Sequence, residues 1–413
     1  MRMSAHRIVV GLVTLAGVVV GFNASTNAAS TTTTAAGTTA PSGAPLPPKQ
    51  RARLAAAARA GFRAASTPGA VVAVQTPRGR WVRAIGIADT RTKARMRVYV
   101  HQRIGSVTKT FTGALLMQLV GEGRLSLDDR IGKYIPGVPG GDKITLRQVA
   151  GMTSGVASYT KNSGFVAALF AHPERRWTPH EVLRIGLEDS PDFPPGTQFE
   201  YSNTNFIMLG MVVEQVEHKG IGAVLRERII DPLRLRGTSW PAGSPALPKP
   251  HAQGYTLQGQ SSDTPVDATS WSTSEEWTAG ELISTVRDLL VYGRATATGE
   301  GLLRRKQQQV RLEFPTTPPP LSRQLSYSIG LVRDKGWIGH TGQVPGFTTT
   351  VYHHPGIDTT VVVEANSDIS SGACRGQETL APDPITKPCA NPADRIMGAI
   401  ARSLGRPYQL PPG

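Results

Sequence analysis

The sequence predicts an α/β (α+β) protein in which an antiparallel sheet is flanked by helices and carries an inserted, mostly helical lobe. Two observations predict this fold class. β-prone runs lie near both ends of the main segment, at 71–86 and at 326–364. Between them, apolar residues recur at helical spacing, as in 205–216 and 222–230. The sheet is therefore assembled from distant segments, and a ligand is expected in the cleft between sheet and lobe.

The first residues predict a signal peptide over residues 1–29. Arg2 and Arg7 precede an uncharged, apolar-rich run at 8–20, and small residues follow at 26–29. The run is shorter than the roughly 20 residues that a spanning helix needs, so no stable membrane span is expected. The protein is thus predicted to be secreted or extracytoplasmic, with an uncleaved anchor as the alternative.

Residues 30–50 are rich in Thr, Ala, Pro and Ser and contain hardly any bulky apolar side chain. Such a segment cannot bury enough surface to offset the entropy of ordering, so a disordered linker is predicted. Residues 51–408 are long enough for one large domain with a substantial core, or for two interleaved subdomains, and the helical lobe is predicted at about 125–270.

Within that domain the elements follow in order from local signals. An alanine-rich helix at 51–65 stops before Pro68, and a hairpin at 71–86 follows it. A helix begins after Ser106, and proline excludes helix or central strand from 314–320. Further helices are predicted at 205–216, 222–230, from 280 to 292 and at 394–404, and further strands at 326–332, 348–353 and 359–364.

Positive charge is concentrated in one part of the chain. The formal net charge is +15, and between Lys49 and Lys109 fourteen Lys or Arg residues accompany Asp89 as the single acidic residue. Outside a cell such a patch favours an anionic cell-wall polymer, while a solvated face without a partner is the alternative. Nucleic acid is not expected as a partner, because no recognisable binding motif accompanies the charge.

Ser106 and Lys109 are spaced as a nucleophile and its base. One helical turn separates them, so a desolvated, partly neutral Lys109 amine can take the Ser106 proton. At a helix N-terminus, Ser106 also faces free backbone N–H groups and the positive end of the dipole. The alternative is a helix-capping serine followed by a surface lysine. Two further motifs downstream favour the catalytic interpretation over it.

These motifs are Tyr201-Ser202-Asn203, before a helix, and His340-Thr341-Gly342, at a strand edge. Beside a cationic lysine, the Tyr201 phenol is expected to release its proton more readily and to pass it to the leaving group. Asn203 offers a donor and an acceptor, which suits holding both Lys109 and a substrate amide. Gly342 would let a substrate backbone approach closely.

Together these residues resemble the serine β-lactamase-related family, which includes class C β-lactamases, D-alanyl-D-alanine carboxypeptidases and related esterases. The resemblance covers about residues 67–367 and implies a β-lactamase/transpeptidase-like fold. It rests on the three motifs and on further phrases in register, namely Gly123-Arg124-Leu125-Ser126-Leu127-Asp128-Asp129, Ile144-Thr145-Leu146-Arg147, Thr153-Ser154-Gly155, Phe193-Pro194-Pro195-Gly196 and Gly346-Phe347. One departure is Met152, where relatives often have a histidine, and it is expected to alter packing beneath the cleft.

The resemblance implies a role for each site residue. Ser106, Lys109 and Tyr201 would be catalytic, and the backbone N–H groups of Ser106 and Gln343 would form the oxyanion hole. His340 and Thr341 would meet the substrate carboxylate, with His340 changing its charge between about pH 5 and 8. Trp277 would line the acyl pocket, with a core aromatic as the alternative.

The function expected from this resemblance is an exported serine hydrolase. His-Thr-Gly resembles the D-alanyl-D-alanine carboxypeptidase branch, so a peptidoglycan stem peptide is the expected substrate and β-lactams are expected inhibitors or slow substrates. A β-lactamase or an esterase acting on a small acyl substrate is the alternative within the family. The alternative from another class is a non-catalytic wall-binding protein.

Two cysteines, Cys374 and Cys389, are expected to form a disulfide in an exported chain, with two free thiols as the alternative. No metal is expected, because the nine histidines show no paired spacing with cysteines or carboxylates. No cofactor is expected either, because no glycine-rich phosphate loop follows a strand.

Overall fold

Seven strands form one antiparallel sheet in the computed structural model, which describes residues 43–374 and 388–409. The predicted signal peptide and most of the predicted linker lie outside these residues. The strands are β1 (Gly69–Thr76), β2 (Gly79–Gly86), β3 (Gln102–Arg103), β4 (Tyr255–Thr256), β5 (Val266–Asp267), β6 (Ile283–Ser284), β7 (Leu325–Ser328), β8 (Leu331–Asp334), β9 (Trp337–Val344), β10 (Phe347–His354) and β11 (Thr359–Ala365).

The order of strands in the sheet is β2-β1-β11-β10-β9-β8-β7. The first hairpin and the last five strands therefore meet at the β1–β11 pair, in which Ala70 lies opposite Ala365. Two short pairs, β3 with β6 and β4 with β5, lie apart from this sheet. The prediction of an antiparallel sheet built from both ends of the chain is confirmed.

Helices cover both faces of the sheet. They are α1 (Pro48–Arg63), α2 (Thr108–Gly121), α3 (Leu146–Ala150), α4 (Ser163–Ala171), α5 (Pro179–Glu188), α6 (Asn203–Glu217), α7 (Ile221–Leu225), α8 (Trp277–Gly280), α9 (Val286–Thr298), α10 (Arg305–Arg311) and α11 (Pro392–Ser403). Local sequence starts several of them: at α5, Thr178 and Glu181 form a reciprocal capping box. Helices α3 to α7 lie within the predicted lobe.

The central strands bury both of their faces, which explains their valine-rich sequences. In β1, Val72 and Val74 pack with α1 and α11, whereas Val71 belongs to the larger core on the opposite face. In α11, Ile396 and Ile400 are fully buried, as the helical periodicity predicted. Each such side chain contributes about 1.5–3 kcal/mol through removal from water.

Two predicted elements differ in the structure. The single strand predicted at 326–332 is divided into β7 and β8, because Gly330 adopts a φ of +66° and turns the chain. The helix predicted from 280 to 292 begins instead at Val286, after the short strand β6. A helix cannot run through this region because residues 283–284 pair with β3.

The end of the predicted linker belongs to the domain in the structure. Leu46 is 1% exposed and packs in the core between α1 and the sheet. The Arg80 backbone amide donates to the carbonyl of Ala44, which places residues 44–46 along β2. Helix α1 then begins at Pro48, a residue suited to a first helical turn.

Asn366, at the end of β11, connects several backbone segments. Its side-chain oxygen accepts from the amide of Gly69, and its Nδ2 donates to the carbonyl of Gln253 at 2.9 Å.

Cys374 and Cys389 are joined by a disulfide. No helix of the described residues is both long enough and apolar enough to cross a bilayer.

Candidate active site

Ser106 lies in a single 3-10 turn, Gly105–Val107, that leads directly into α2. Gly105 has a φ of +51°, which lets the chain turn sharply just before the serine. The residues around Ser106 are buried, whereas Ser106 itself is partly exposed. The turn therefore presents one hydroxyl to the cleft and fixes it by the packing of its neighbours.

Lys109 is fully buried one turn further along the chain. Its Nζ donates to Ser106 Oγ at 2.9 Å and to the carbonyl of Ala279 in α8 at 2.8 Å. Desolvation lowers the pKa of Lys109 to about 7, although the negative charge of Glu276 partly opposes this shift. About half of the amine is neutral near pH 7, so it can accept the serine proton.

Tyr201 completes this group from the loop before α6. Its ring lies 4.9 Å from Lys109 Nζ, and its phenol forms a hydrogen bond with the Ser106 side chain. Although Tyr201 as a whole is 36% exposed, desolvation raises its pKa further than that bond lowers it, and the charge of Glu276 adds to the rise. The raised pKa contradicts the expectation of a readily ionised phenol and leaves the Tyr201 phenol protonated at neutral pH.

Strand β9 brings two backbone amides together beside the serine. A Cβ built on Gly105 would lie 2.6 Å from the amide nitrogen of Gln343, and one on Gly342 would lie 2.9 Å from that of Ser106. Val344 and Phe347 close a two-residue hairpin, so the Gln343 N–H points away from β10. The two amides thus lie close to each other, as the oxyanion hole implied by the family resemblance requires.

His340 is 3% exposed and lies between two tyrosines, its ring centroid 5.7 Å from Tyr327 and 6.1 Å from Tyr201. Burial and the nearby charge of Lys109 lower the pKa of His340 to about 3. The imidazole is therefore neutral between pH 5 and 8, and the expected change of charge over that range is wrong. Thr341, the next residue, is partly buried on the same strand.

Asn203 opens α6, and its backbone amide donates to Ser158 Oγ at 3.1 Å. Its side-chain oxygen is buried and has no hydrogen-bond partner among the described residues. The sequence predicted that Asn203 holds Lys109, but the Lys109 amine donates to the backbone carbonyl of Ala279 instead. The Asn203 side chain consequently keeps a free acceptor at the start of α6, two residues after Tyr201.

Trp277 belongs to the larger hydrophobic core. It is 8% exposed, and its ring centroid is 6.5 Å from that of Trp240. Because Gly210 of α6 has no side chain, the Trp277 ring can pack directly against it. The structure thus favours the core aromatic that the sequence left as the alternative.

Met152 shows how the departure from the family pattern is accommodated. It is completely buried, and its sulfur accepts from the Ser202 amide at 3.4 Å and from Asn205 Nδ2 at 3.6 Å. The thioether therefore supports the loop that carries Tyr201, in line with the expected change of packing beneath the cleft.

Sequence reasoning missed Gly105, the carbonyl of Ala279 and the carboxylate of Glu276. Gly105 could have been found from its position directly before the nucleophile. Ala279 belongs to the segment Trp277-Thr278-Ala279-Gly280. Its role could not be predicted from residue types, because the accepting atom is a backbone carbonyl. Glu276 precedes that phrase, and only the fold brings it near Lys109 and Tyr201.

Known proteins are similar to this chain in sequence and in fold. The family model described as Beta-lactamase matches residues 52–380. The structure is similar to a D-stereospecific amidohydrolase from a Streptomyces species, with 33% identity, a TM-score of 0.71 and coverage of 77% of this chain and 94% of that chain.

Two more distant proteins share the fold or part of the sequence. D-amino acid amidase from Ochrobactrum anthropi SV3 is 24% identical, with a TM-score of 0.70 and coverage of 85% and 99% of the two chains. Protein flp from Staphylococcus aureus is 24% identical over 68% of this chain. The match spans only 56% of the length of that relative.

Proposed function

Because the chain belongs to the Beta-lactamase family of serine hydrolases, we propose that it is an amidohydrolase that cleaves the amide bond after a D-configured residue. The observation that carries the proposal is the buried Lys109 amine, with a pKa of about 7, located 2.9 Å from Ser106 Oγ. The D-configuration is supported by the names of two structural neighbours, a D-stereospecific amidohydrolase and a D-amino acid amidase.

In this proposal, neutral Lys109 takes the proton of Ser106 as Oγ attacks the acyl carbonyl carbon. The oxygen of the tetrahedral intermediate accepts from the Ser106 and Gln343 amides, each contributing about 2.7–4 kcal/mol to catalysis. Tyr201 donates its proton to the leaving nitrogen as the C–N bond breaks, and Lys109 restores that proton. Water then attacks the acyl-enzyme, with proton transfer through the same groups, and releases the acid.

The leaving group separates two candidate substrates. A D-alanyl-D-alanine stem peptide releases an amino acid with a carboxylate, which a cation would recognise. His340 is neutral, Arg333 lies over the ring of Phe314, and Lys335 is exposed in the turn between β8 and β9. Since none of these supplies a cation beside Thr341, a simple D-amino acid amide is the first candidate.

The D-alanyl-D-alanine carboxypeptidase is the second candidate, and His340-Thr341-Gly342 favours it. The Thr341 hydroxyl can still donate a hydrogen bond to a carboxylate, whereas the single N–H of a neutral His340 already donates to the Thr341 carbonyl. Steady-state kinetics on D-alaninamide and on diacetyl-Lys-D-Ala-D-Ala will rank the two. Turnover of the peptide alone would make the carboxypeptidase the first candidate.

Intact-mass measurement tests the acyl-enzyme itself. A fluorescent penicillin, which the family resemblance makes a slow acylating substrate, is expected to add one equivalent to the wild-type protein and none to Ser106→Ala. Absence of an adduct, together with absence of D-amide hydrolysis, would favour the non-catalytic wall-binding alternative. Hydrolysis of p-nitrophenyl esters alone would instead indicate an esterase.

We further propose that the protein works outside the cytoplasm, next to an anionic wall polymer. The apolar run at 8–20 and the disulfide between Cys374 and Cys389 support export, because disulfides persist in oxidising compartments. Twelve of the fourteen basic residues between positions 49 and 109 are exposed; Arg103 and Lys109 are buried. Salt-sensitive co-sedimentation with teichoic acid will test the polymer contact.

A further inference from the structure

Glu276 places a carboxylate beside the catalytic group. It directly precedes α8, and its backbone carbonyl accepts from the amide of Ala279, whose own carbonyl holds Lys109. Its side chain folds over Gly280, where an added Cβ would lie 2.6 Å from Glu276 Oε2. The same short segment therefore carries the acceptor for the lysine and an acidic group next to it.

The carboxylate of Glu276 has no hydrogen-bond donor among the described residues, and burial raises its pKa. Its negative charge acts on Lys109, on Tyr201 and on Tyr159, the groups that surround it, and on the neighbouring Glu275. Unlike fully buried Glu275, Glu276 is partly exposed. Glu276 is thus partly open to solvent, in the segment whose Ala279 carbonyl accepts from Lys109.

An unpartnered, partly desolvated carboxylate is costly, and such groups concentrate at functional sites. Anchoring Lys109 does not require it, because Ser106 and Ala279 already accept two of the three N–H bonds of the ammonium. What is missing at Glu276 is a donor that carries positive charge. A substrate can bring that donor to the site.

We propose that Glu276 binds the α-ammonium group of the substrate, so that the residue transferred to Ser106 is a D-aminoacyl group with a free amine. This inference rests on the proposed function and narrows its substrate class to unblocked D-amino acid amides and D-aminoacyl peptides. In such a substrate the ammonium is one carbon away from the reacting carbonyl. Ser106 Oγ lies 2.9 Å from Lys109 Nζ, and Glu276 belongs to the segment that holds the same amine through Ala279, so the two would receive these groups together.

Binding of the ammonium would also affect the base. In the free protein the charge of Glu276 favours the protonated form of Lys109. A substrate cation on Glu276 neutralises that charge and adds a like charge near Lys109, and both effects favour the neutral amine. The correct substrate would thereby increase the fraction of the enzyme that can start the reaction, whereas an N-acylated substrate would not.

The test compares D-phenylalaninamide with N-acetyl-D-phenylalaninamide from pH 5.5 to 9, for the wild type and for Glu276→Gln. The wild type is expected to have at least a tenfold higher maximal kcat/KM on the free amine. Glu276→Gln is expected to lower that maximum at least tenfold and to change the maximum for the acetylated amide less than twofold. Glu174→Gln, a change at an exposed carboxylate, is the control.

Equal losses on both substrates would overturn the inference, because Glu276 would then act only through Lys109. A wild-type preference for the acetylated amide would also overturn it, while the proposed function would stand. Hydrolysis of neither D-amide would instead refute the proposed function itself. The three results are therefore distinguishable.

A measurement on the wild type alone covers the case in which Glu276→Gln does not fold. D-phenylalanine is expected to inhibit at least tenfold more strongly than N-acetyl-D-phenylalanine, since only the former presents an ammonium group to Glu276. Equal inhibition constants would contradict the proposal without any variant.

Discussion

Gly342 lies directly against the backbone of Ile104: a Cβ at Gly342 would stand 1.9 Å from the Ile104 carbonyl oxygen. This close contact joins β9 to the turn that carries the nucleophile. It fixes the distance between the Ser106 and Gln343 amides, the two donors that the proposed mechanism assigns to the oxyanion.

We therefore expect Gly342→Ala to lower kcat on a D-amide by 10²-fold or more, because the added methyl must push the two amides apart. Steady-state kinetics with thermal melting will measure the effect. Gly220→Ala is the matched control, because the nearest atom to its Cβ is 3.9 Å away. Unchanged kcat and melting temperature in Gly342→Ala would show that the contact is not needed.

The rate should follow the protonation of Lys109. Since the neutral amine is the active form, kcat/KM is expected to rise as the pH increases through about 7. His340→Asn is expected to keep this inflection. Burial lowers the pKa of His340 to about 3, so the imidazole does not titrate in the pH range of the measurement. An inflection that disappears in His340→Asn would assign the titration to the imidazole.

Tyr201→Phe should impair amides far more than activated esters. An amide nitrogen must gain a proton to leave, whereas p-nitrophenolate leaves as an anion, so the amide rate is expected to fall 10²–10⁴-fold and the ester rate less than tenfold. Tyr327→Phe is the control, because the Tyr327 hydroxyl has no partner among the described residues. Equal losses on both substrates would remove Tyr201 from proton donation.

Glu364 offers a test of stability away from the site. It is 1% exposed in β11, and neither carboxylate oxygen has a hydrogen-bond partner in the described part of the chain. Burial, together with the charge of Asp288, raises its pKa. The unfolded carboxyl ionises near pH 4.5, so this group makes folding less favourable as the pH rises above that value.

Glu364→Leu is accordingly expected to raise the free energy of unfolding by about 1–3 kcal/mol at pH 7, with a smaller gain at pH 5. Denaturant titration at both values will measure it. Glu364→Gln separates charge from packing, because it removes the titration and keeps the shape. A gain that does not change with pH would exclude a protonated Glu364 in the folded protein.

Local patterns predicted the parts of the fold that local interactions determine. The helix after Ser106 and the valine-rich strands follow from periodicity, and the spacing of Ser106 and Lys109 is a property of one helical turn. Strand β9 has two glycines and several polar residues, so its place at a strand edge came from its motif rather than from alternation.

The electrostatic properties of the site could not be predicted in the same way. The neutral state of His340 and the protonated state of Tyr201 follow from desolvation, which depends on segments more than a hundred residues apart in the chain. The same holds for Ala279 and Glu276, which become neighbours of Lys109 only when α8 packs against α2. A sequence pattern contains residue types but not the dielectric environment that folding creates.

The pairing of β1 with β11 has a consequence for shortened forms of the protein. A product that stops before residue 359 would contain Ser106, Lys109, Tyr201 and the His340 motif, yet β1 and β10 would both lose their central neighbour. Asn366, which ties Gly69 to the loop at Gln253, would be absent as well. Premature termination or C-terminal proteolysis should therefore abolish activity outright instead of leaving a weakened enzyme.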